Sequence, residues 1–280
     1  MILPPAVPRR VIVTRPEREA RAWVKALVGH GLDAVALPLI DICPLPDSGG
    51  VRLMREQAAG YDAVMFVSGA AVEHFFALRP PDEITFGSAA AARPRAWGTG
   101  PGTAAALLRC GVHGGLIDMP DAGSGQFDSE ALWAVVASQV RPGDRVLIVR
   151  GEDTGLGQAL PGDPAEAVAG FGRDWLARRL VQAGALVEFV AVYQRRVPTL
   201  QPHQITLAQA AACDGSVWLF TSAQAVAHLG VCLPQQDWKG ACALATHARI
   251  AAAVRAAGFS VVWESRPSIP DVVASIESNG

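Results

Sequence analysis

RVIVTR, residues 10–15, returns as RVLIVR at residues 145–150. Each copy is a short run of β-branched and aliphatic residues closed by an arginine, the composition of a strand buried on both faces. The flanking sequence returns with it. Trp23, Gly31 and an extended stretch at 34–40 recur as Trp175, Gly184 and 187–193. VMFVSGAAVEHF (64–75) recurs as VWLFTSAQAVAHL (217–229), and GPGTAAALLRCGV (100–112) recurs more loosely as HARIAAAVRAAGF (247–259). The segments come back in one order, half a chain later. That pattern describes two similarly built halves and not one large sheet.

Between these anchors, strands alternate with helices. Pro16 stands where a first-turn proline is tolerated. The spacing of Ala22, Trp23 and Leu27 predicts a helix over 18–28, stopped by Gly29 and Gly31. Residues 35–42 read as extended, 61–67 as a strand and 70–78 as a helix. A weak strand at 95–98 precedes a helix at 103–109, closed by Gly111. A strand at 145–149, a helix at 174–182 closed by Gly184, and a strand at 187–193 follow. The runs at 217–220, 241–245 and 260–263 repeat the strand pattern. The fold class is therefore α/β, with two similar domains, each a parallel β-sheet flanked by helices. The Pro/Gly/Ser stretch at 44–50 and the Gly- and Pro-rich stretch at 153–171 read as loops, the second a surface insertion.

Composition narrows the function. In 280 residues, 50% are hydrophobic and 18% charged, which suits a large packed core and excludes a disordered chain. Lys and Arg number 24 against 26 Asp and Glu, so the basic excess of a nucleic-acid binder is missing. The five cysteines (Cys43, Cys110, Cys213, Cys232, Cys242) form no CxxC pair, which argues against a zinc site or a disulfide framework. Buried thiols in a reducing compartment fit better. Residues 1–10 hold three prolines and no apolar run of signal-peptide length, and no long uncharged apolar stretch follows. The expectation is a soluble, cytoplasmic protein with no membrane partner.

The usual cofactor and catalytic motifs are missing: no P-loop, HExxH, GxSxG or EF-hand loop. The run Gly98-Thr-Gly100-Pro-Gly102-Thr opens a helix but fails the dinucleotide fingerprint, because Thr103 takes the third glycine's place and Pro101 lacks an amide hydrogen. Asp118 lies near the distance expected of a ribose ligand, but no convincing strand leads to it.

The strand ends are more informative. Thr14–Arg15, Ser68–Gly69, Gly102–Thr103, Arg150–Gly151, Thr221–Ser222 and Thr246–His247 each place small, hydroxyl or polar residues just before or at a helix start. Strand C-termini of a parallel sheet share one edge, where ligands of open α/β folds bind. Helix-start amides and hydroxyls there accept carboxylates. Two such edges, one per half, would furnish a cleft with neutral donors for a polyanionic substrate. Taken singly, Ser68, Thr221 and Ser222 read equally as helix N-caps. Arg15 and Arg150 occupy matching places after the repeated strand, and with Arg173 they are candidate carboxylate ligands or domain bridges. His247 and Arg249 stand at another turn. His30, His74, His113, His203 and His228 show no ligand spacing. Tyr193, one of two tyrosines, ends an apolar strand and reads equally as a core residue or a catalytic one.

These residues together resemble the uroporphyrinogen-III synthase family. The resemblance lies in VTRP (13–16), LPLI (37–40), FVSGAAV (66–72), GPGTAAAL (100–107), RG (150–151), GRDWL (172–176), VYQR (192–195), FTSAQAV (220–226) and HARIA (247–251). It implies a chain that crosses twice between domains through a two-stranded linker. One domain comprises 1–39 and 191–280, and the other 40–190. It implies hydroxymethylbilane, a linear tetrapyrrole octacarboxylate, as substrate, and no cofactor or metal. The implied reaction is loss of the substrate hydroxyl as water, then ring closure with the last pyrrole inverted. By the same resemblance Tyr193 assists departure of the hydroxyl, while Thr103, Ser68 and the amides near Gly102 hold carboxylates. A monomer in transient contact with hydroxymethylbilane synthase is the expected state. Two rivals remain at this point: a two-domain binding protein without catalysis, and a nucleotide-dependent transferase or oxidoreductase using the Gly98–Gly102 turn. The chain departs from the family at Ala248, where a bacterial branch carries proline, and at the 153–171 insertion.

Overall fold

The computed structural model describes residues 9–45, 57–77, 93–121, 129–152 and 171–279, with only the backbone described over 171–174. Apart from Pro44, Leu45 and the backbone of Phe171, the two predicted loops at 44–50 and 153–171 lie outside the described residues. The chain divides into two compact units, one of Met1–Asp41 with Arg196–Gly280 and one of Ile42–Arg195.

The first unit is built on a five-stranded sheet in the order β11 (Val261–Glu264), β10 (Cys242–Ala245), β9 (Val217–Phe220), β1 (Val11–Val13) and β2 (Ala34–Ala36). Every neighbouring pair is parallel. Successive side chains of a strand face opposite ways, and here both faces are apolar. Val11, Val13, Val217, Leu219 and Leu244 pack with Ala20 and Leu27 of the helix Glu17–Gly29 and with Val272 and Ile276 of the helix Ile269–Asn279. Trp218 and Phe220 stack at 6.1 Å, and Trp238 and Phe259 meet them edge-on at 5.1 and 5.7 Å. The fully buried Trp218 donates its indole N–H to the Ala211 carbonyl at 3.0 Å.

Thr14 continues β1 past its last paired residue. It is wholly buried, and its hydroxyl donates to the Leu219 carbonyl at 2.7 Å. A valine there keeps the shape but removes that bond. Thr14→Val is expected to cost about 1 kcal/mol, read as a lowered midpoint of urea unfolding with an unchanged slope.

The second unit carries a six-stranded sheet in the order β3 (Asp41–Pro44), β8 (Leu186–Arg196), β7 (Arg145–Glu152), β4 (Ala63–Phe66), β5 (Arg95–Gly98) and β6 (Ile117–Asp118). The pairings from β8 to β6 are parallel. Val64 and Phe66 turn toward Ala71, Val72 and Phe75 of the helix Gly69–Phe76 and Leu107 of the helix Pro101–Arg109. Ala63 and Met65 turn to the other face, against Leu132 and Val136 of Ser129–Val136 and Leu176 and Leu180 of Phe171–Gln182.

Two readings of the sequence change. The extended run at 35–42 is not one strand: β2 ends at Ala36 and β3 begins at Asp41. Pro38 stands in the gap and has no N–H for a ladder. Asp118 does lie on a strand, the two-residue β6 at the sheet edge. Its carboxylate is committed to Arg95, which donates through both Nε, at 2.8 Å, and Nη2. That ion pair, and not a ribose, accounts for the acid.

Helix endings follow the glycines. Gly31 and Gly184 have φ of 85° and 88°, the left-handed region that closes a helix and that side chains with a Cβ avoid.

Candidate functional site

In the second unit, parallel pairing brings the C-terminal ends of β4, β5, β7 and β8 to one edge. Phe66 lies opposite both Gly98 and Val149, and Val149 opposite Val190. The next residues along each strand therefore form a rim. Ser68 stands there as the N-cap of Gly69–Phe76, its Oγ accepting from the Ala71 N–H at 3.1 Å. A Cβ added at Gly69 would sit 3.6 Å from the Gly102 carbonyl, so the starts of the helices Gly69–Phe76 and Pro101–Arg109 lie side by side. The Ala71 and Thr103 amides are taken by Ser68 Oγ and the Gly100 carbonyl, and the first-turn amides of Gly69 and Gly102 point from the two helix starts, where an anion is favoured. Thr103 is 5% exposed. Its methyl packs on Gly98 and its hydroxyl lies 3.5 Å from that of Thr99. Thr99 is the more accessible of the two hydroxyls, and the same Gly98–Thr103 run already contained it.

Tyr193, on β8, reaches this rim through its hydroxyl. A bulge shifts the β7–β8 register between Arg150 and Gly151, so Gly151 faces Tyr193 where regular pairing would give it Val192. The ring then covers the glycine. A Cβ on Gly151 would lie 2.5 Å from Cε2 and 2.6 Å from Cζ. Tyr193 is 0% exposed and belongs to the apolar core of its unit. Its Oη lies 3.2 Å from Ser68 Oγ and accepts from Arg195 Nη2 at 3.4 Å. The core and functional readings of this tyrosine thus coexist in one side chain, with its ring packed and its hydroxyl bonded toward the rim.

Two neighbours of Tyr193 were missed by sequence. Arg195 lies two residues along the same strand, and the period of two would have placed it beside Tyr193. The His74 ring lies 5.7 Å from the Tyr193 ring. Burial lowers the His74 pKa, opposed by the nearby charge of Glu73. The unfolded chain then takes up a proton that the folded one resists, so stability falls as pH drops below about 6.5, the ordinary imidazole value. Melting temperature is expected to decline through pH 6 to 5 in the wild type and less steeply in His74→Phe.

In the first unit the ends of β1, β9 and β10 form an equivalent edge, with Val13 opposite Leu219 and Leu219 opposite Leu244. Ser222 caps Ala223–Cys232 by accepting from the Gln224 N–H at 3.2 Å. His247 caps Ala248–Ala256, its Nδ1 accepting from the Arg249 N–H at 3.1 Å. His247 and Arg249 are exposed, and Thr221, at the end of β9, is half-buried. Capping leaves a serine its own hydroxyl hydrogen. A cap can therefore accept a backbone N–H on one side and donate to a ligand carboxylate on the other.

The arginines are held locally. Arg15 pairs with Glu19, one helical turn on, at 2.7 Å, and lies 4.9 Å over the Trp23 ring. Arg150 lies 4.6 Å over the Phe189 ring. An acid at i+4 and an aromatic face each capture a guanidinium within its own unit. The Arg173 side chain lies outside the described residues. Among the described residues, no cluster of three or more His, Cys, Asp and Glu could hold a metal ion, and no helix is long and apolar enough to cross a membrane.

Comparison with known proteins gives a family match over most of the chain and a match of fold. A family model described as uroporphyrinogen-III synthase HemD matches residues 21–274. Among solved structures, uroporphyrinogen-III synthetase from Helicobacter pylori is similar with a TM-score of 0.56 at 12% identity, covering 97% of this chain and 100% of that one. A mutant uroporphyrinogen III synthase from Thermus thermophilus matches with a TM-score of 0.47 at 18% identity, covering 97% of each chain. The first of these supports the fold, and the family match supports the activity.

Proposed function

The chain belongs to the uroporphyrinogen-III synthase family, and we propose that it cyclises hydroxymethylbilane at the rim of its second unit, around the Tyr193–Ser68 pair. The activity is that of a cyclising hydro-lyase of tetrapyrrole biosynthesis. The observation that carries the residue assignment is the 3.2 Å contact between a buried phenol and a rim hydroxyl at the strand C-termini.

The chemistry asks for little more. Loss of the substrate hydroxyl as water needs one proton and leaves an azafulvene cation. The substituted carbon of the last pyrrole then attacks it, the spiro intermediate fragments, and the ring recloses with that pyrrole reversed. The cation is reactive enough to close without help, giving the uninverted isomer. The enzyme's contribution is orientation of a flexible chain, the kind of effect that binding geometry supplies. Gly69, Gly102 and Thr103 take carboxylates through amides and a hydroxyl in the second unit, with Ser68 facing the substrate between them and Arg150, Gly151 and Arg173 beside them. Arg15, Thr221, Ser222, His247 and Arg249 offer donors of the same kind in the first. The protein works in the cytoplasm as a monomer and receives its unstable substrate from hydroxymethylbilane synthase in a transient encounter.

Incubation with freshly generated hydroxymethylbilane tests this reading. Oxidation and chromatographic separation of the products are expected to show the type III isomer. Type I alone, the product of unassisted closure, would overturn it.

A further inference from the structure

We infer that the proton for the departing hydroxyl reaches the substrate from Ser68 Oγ, with Tyr193 as the acid behind it and Arg195 as the positioning residue that fixes the direction of transfer. This rests on the proposed cyclase function and deepens it. Tyr193 has no exposed surface, so its hydroxyl meets a ligand only through a group it bonds. That group is Ser68 Oγ, which is half-buried at the rim.

The hydrogen-bond directions are constrained. Arg195 has donors only, so its 3.4 Å contact makes Tyr193 Oη an acceptor from that side. The phenolic hydrogen then has Ser68 Oγ as its partner at 3.2 Å. Ser68 Oγ also accepts the Ala71 N–H at 3.1 Å. Both of its lone pairs are thereby engaged, and its own hydrogen is left to donate outward.

The step balances. The substrate C–O bond breaks with its electron pair on oxygen, and that oxygen takes the Ser68 hydrogen and leaves as water. Ser68 recovers a proton from Tyr193, which becomes a phenolate beside the Arg195 guanidinium. After ring closure, the proton lost from the last pyrrole's α-carbon returns by the same route. The backbone enforces the geometry from two sides. The β7–β8 bulge and the bare Gly151 admit the ring, and the N-cap holds Ser68 in place.

Two hydroxyls in series behave differently from two in parallel. Ser68→Asn keeps a good N-cap but lacks the hydroxyl, so its folding is expected to match wild type. Its turnover number is expected to fall about 100-fold, with the Michaelis constant little changed, as for loss of a general acid. Tyr193→Phe is expected to fall similarly, and the double variant to be no slower than the slower single one. Ser68→Thr is expected to restore most of the rate. Wild type is expected to show a solvent deuterium isotope effect on turnover that Ser68→Asn lacks. Multiplication of the two losses to about 10,000-fold in the double variant, or a wild-type rate in Ser68→Asn, would overturn the relay. Neither result touches the cyclase function itself, which fails only if wild type yields no type III isomer.

Discussion

Gly151→Ala is expected to abolish most type III synthesis, by about 100-fold or more, and to lower stability by about 1–3 kcal/mol. The added methyl would stand 2.5–2.6 Å from two carbons of the Tyr193 ring, closer than real Cβ contacts come. Something must move. The glycine is in the strand β7 and pairs with β8 past the bulge, so its backbone is fixed and the ring is the softer partner. That ring is wholly buried among Val64, Phe66, Val149 and their neighbours. Any displacement overpacks the core and draws Oη away from Ser68. Loss of activity should therefore accompany loss of stability, and the activity loss should be the larger. Gly230→Ala is a suitable contrast, because nothing lies within 4 Å of a Cβ there and the residue is inside the helix Ala223–Cys232. It is expected to gain about 0.5–1 kcal/mol. Thermal melts alongside isomer assays compare the two. A Gly151→Ala enzyme that melts and turns over like wild type would show that the close approach is not needed.

Why Gly151 matters was not legible in the sequence, and the reason is physical. RG at 150–151 was visible as a strand-end pair, and local pattern suffices to find a strand as apolar as VLIV. The register between β7 and β8 is a property of two distant segments, and the bulge that pairs Gly151 with Tyr193 leaves no local mark. The same divide runs through the rest. The buried strands, the helix-closing glycines and the serine caps are short-range features: residues 10–15, 64–75 and 217–229 carry the strands and caps plainly, and Gly31, Gly111 and Gly184 the helix ends. The two-residue strand β6 is too short to show a period, so Asp118 looked unsupported when it was an ion-pair partner of Arg95. Arg15 and Arg150 read as candidate ligands from their place at a strand end, and sequence does not show which aromatic face lies beneath each guanidinium. Arg195 and His74 were passed over for the opposite reason. Arg195 lies beyond 193, where the apolar strand pattern stops, and His74 lies inside a helix, and the packing around Tyr193 is what brings them together.

Tyr193→Phe is expected to separate chemistry from folding. The variant keeps the ring and its contacts with the core, and it loses one oxygen. Removing that oxygen breaks the contacts with Ser68 and Arg195, for which a stability loss of about 1 kcal/mol is reasonable. The carboxylate-binding donors of the rim are untouched, so substrate affinity should hold. Turnover is another matter. A positioned acid contributes about 10²–10⁴ to a proton-dependent step, and a 100-fold loss corresponds to about 2.7 kcal/mol on the barrier. The rate effect thus exceeds the stability effect by more than a factor of two in energy, a margin that melting curves and single-turnover assays can measure on the same preparation. A tyrosine retained only for packing predicts the reverse order. In that case the phenylalanine enzyme, still folded, would make the type III isomer at close to the wild-type rate, and the proton would have to come from elsewhere on the rim.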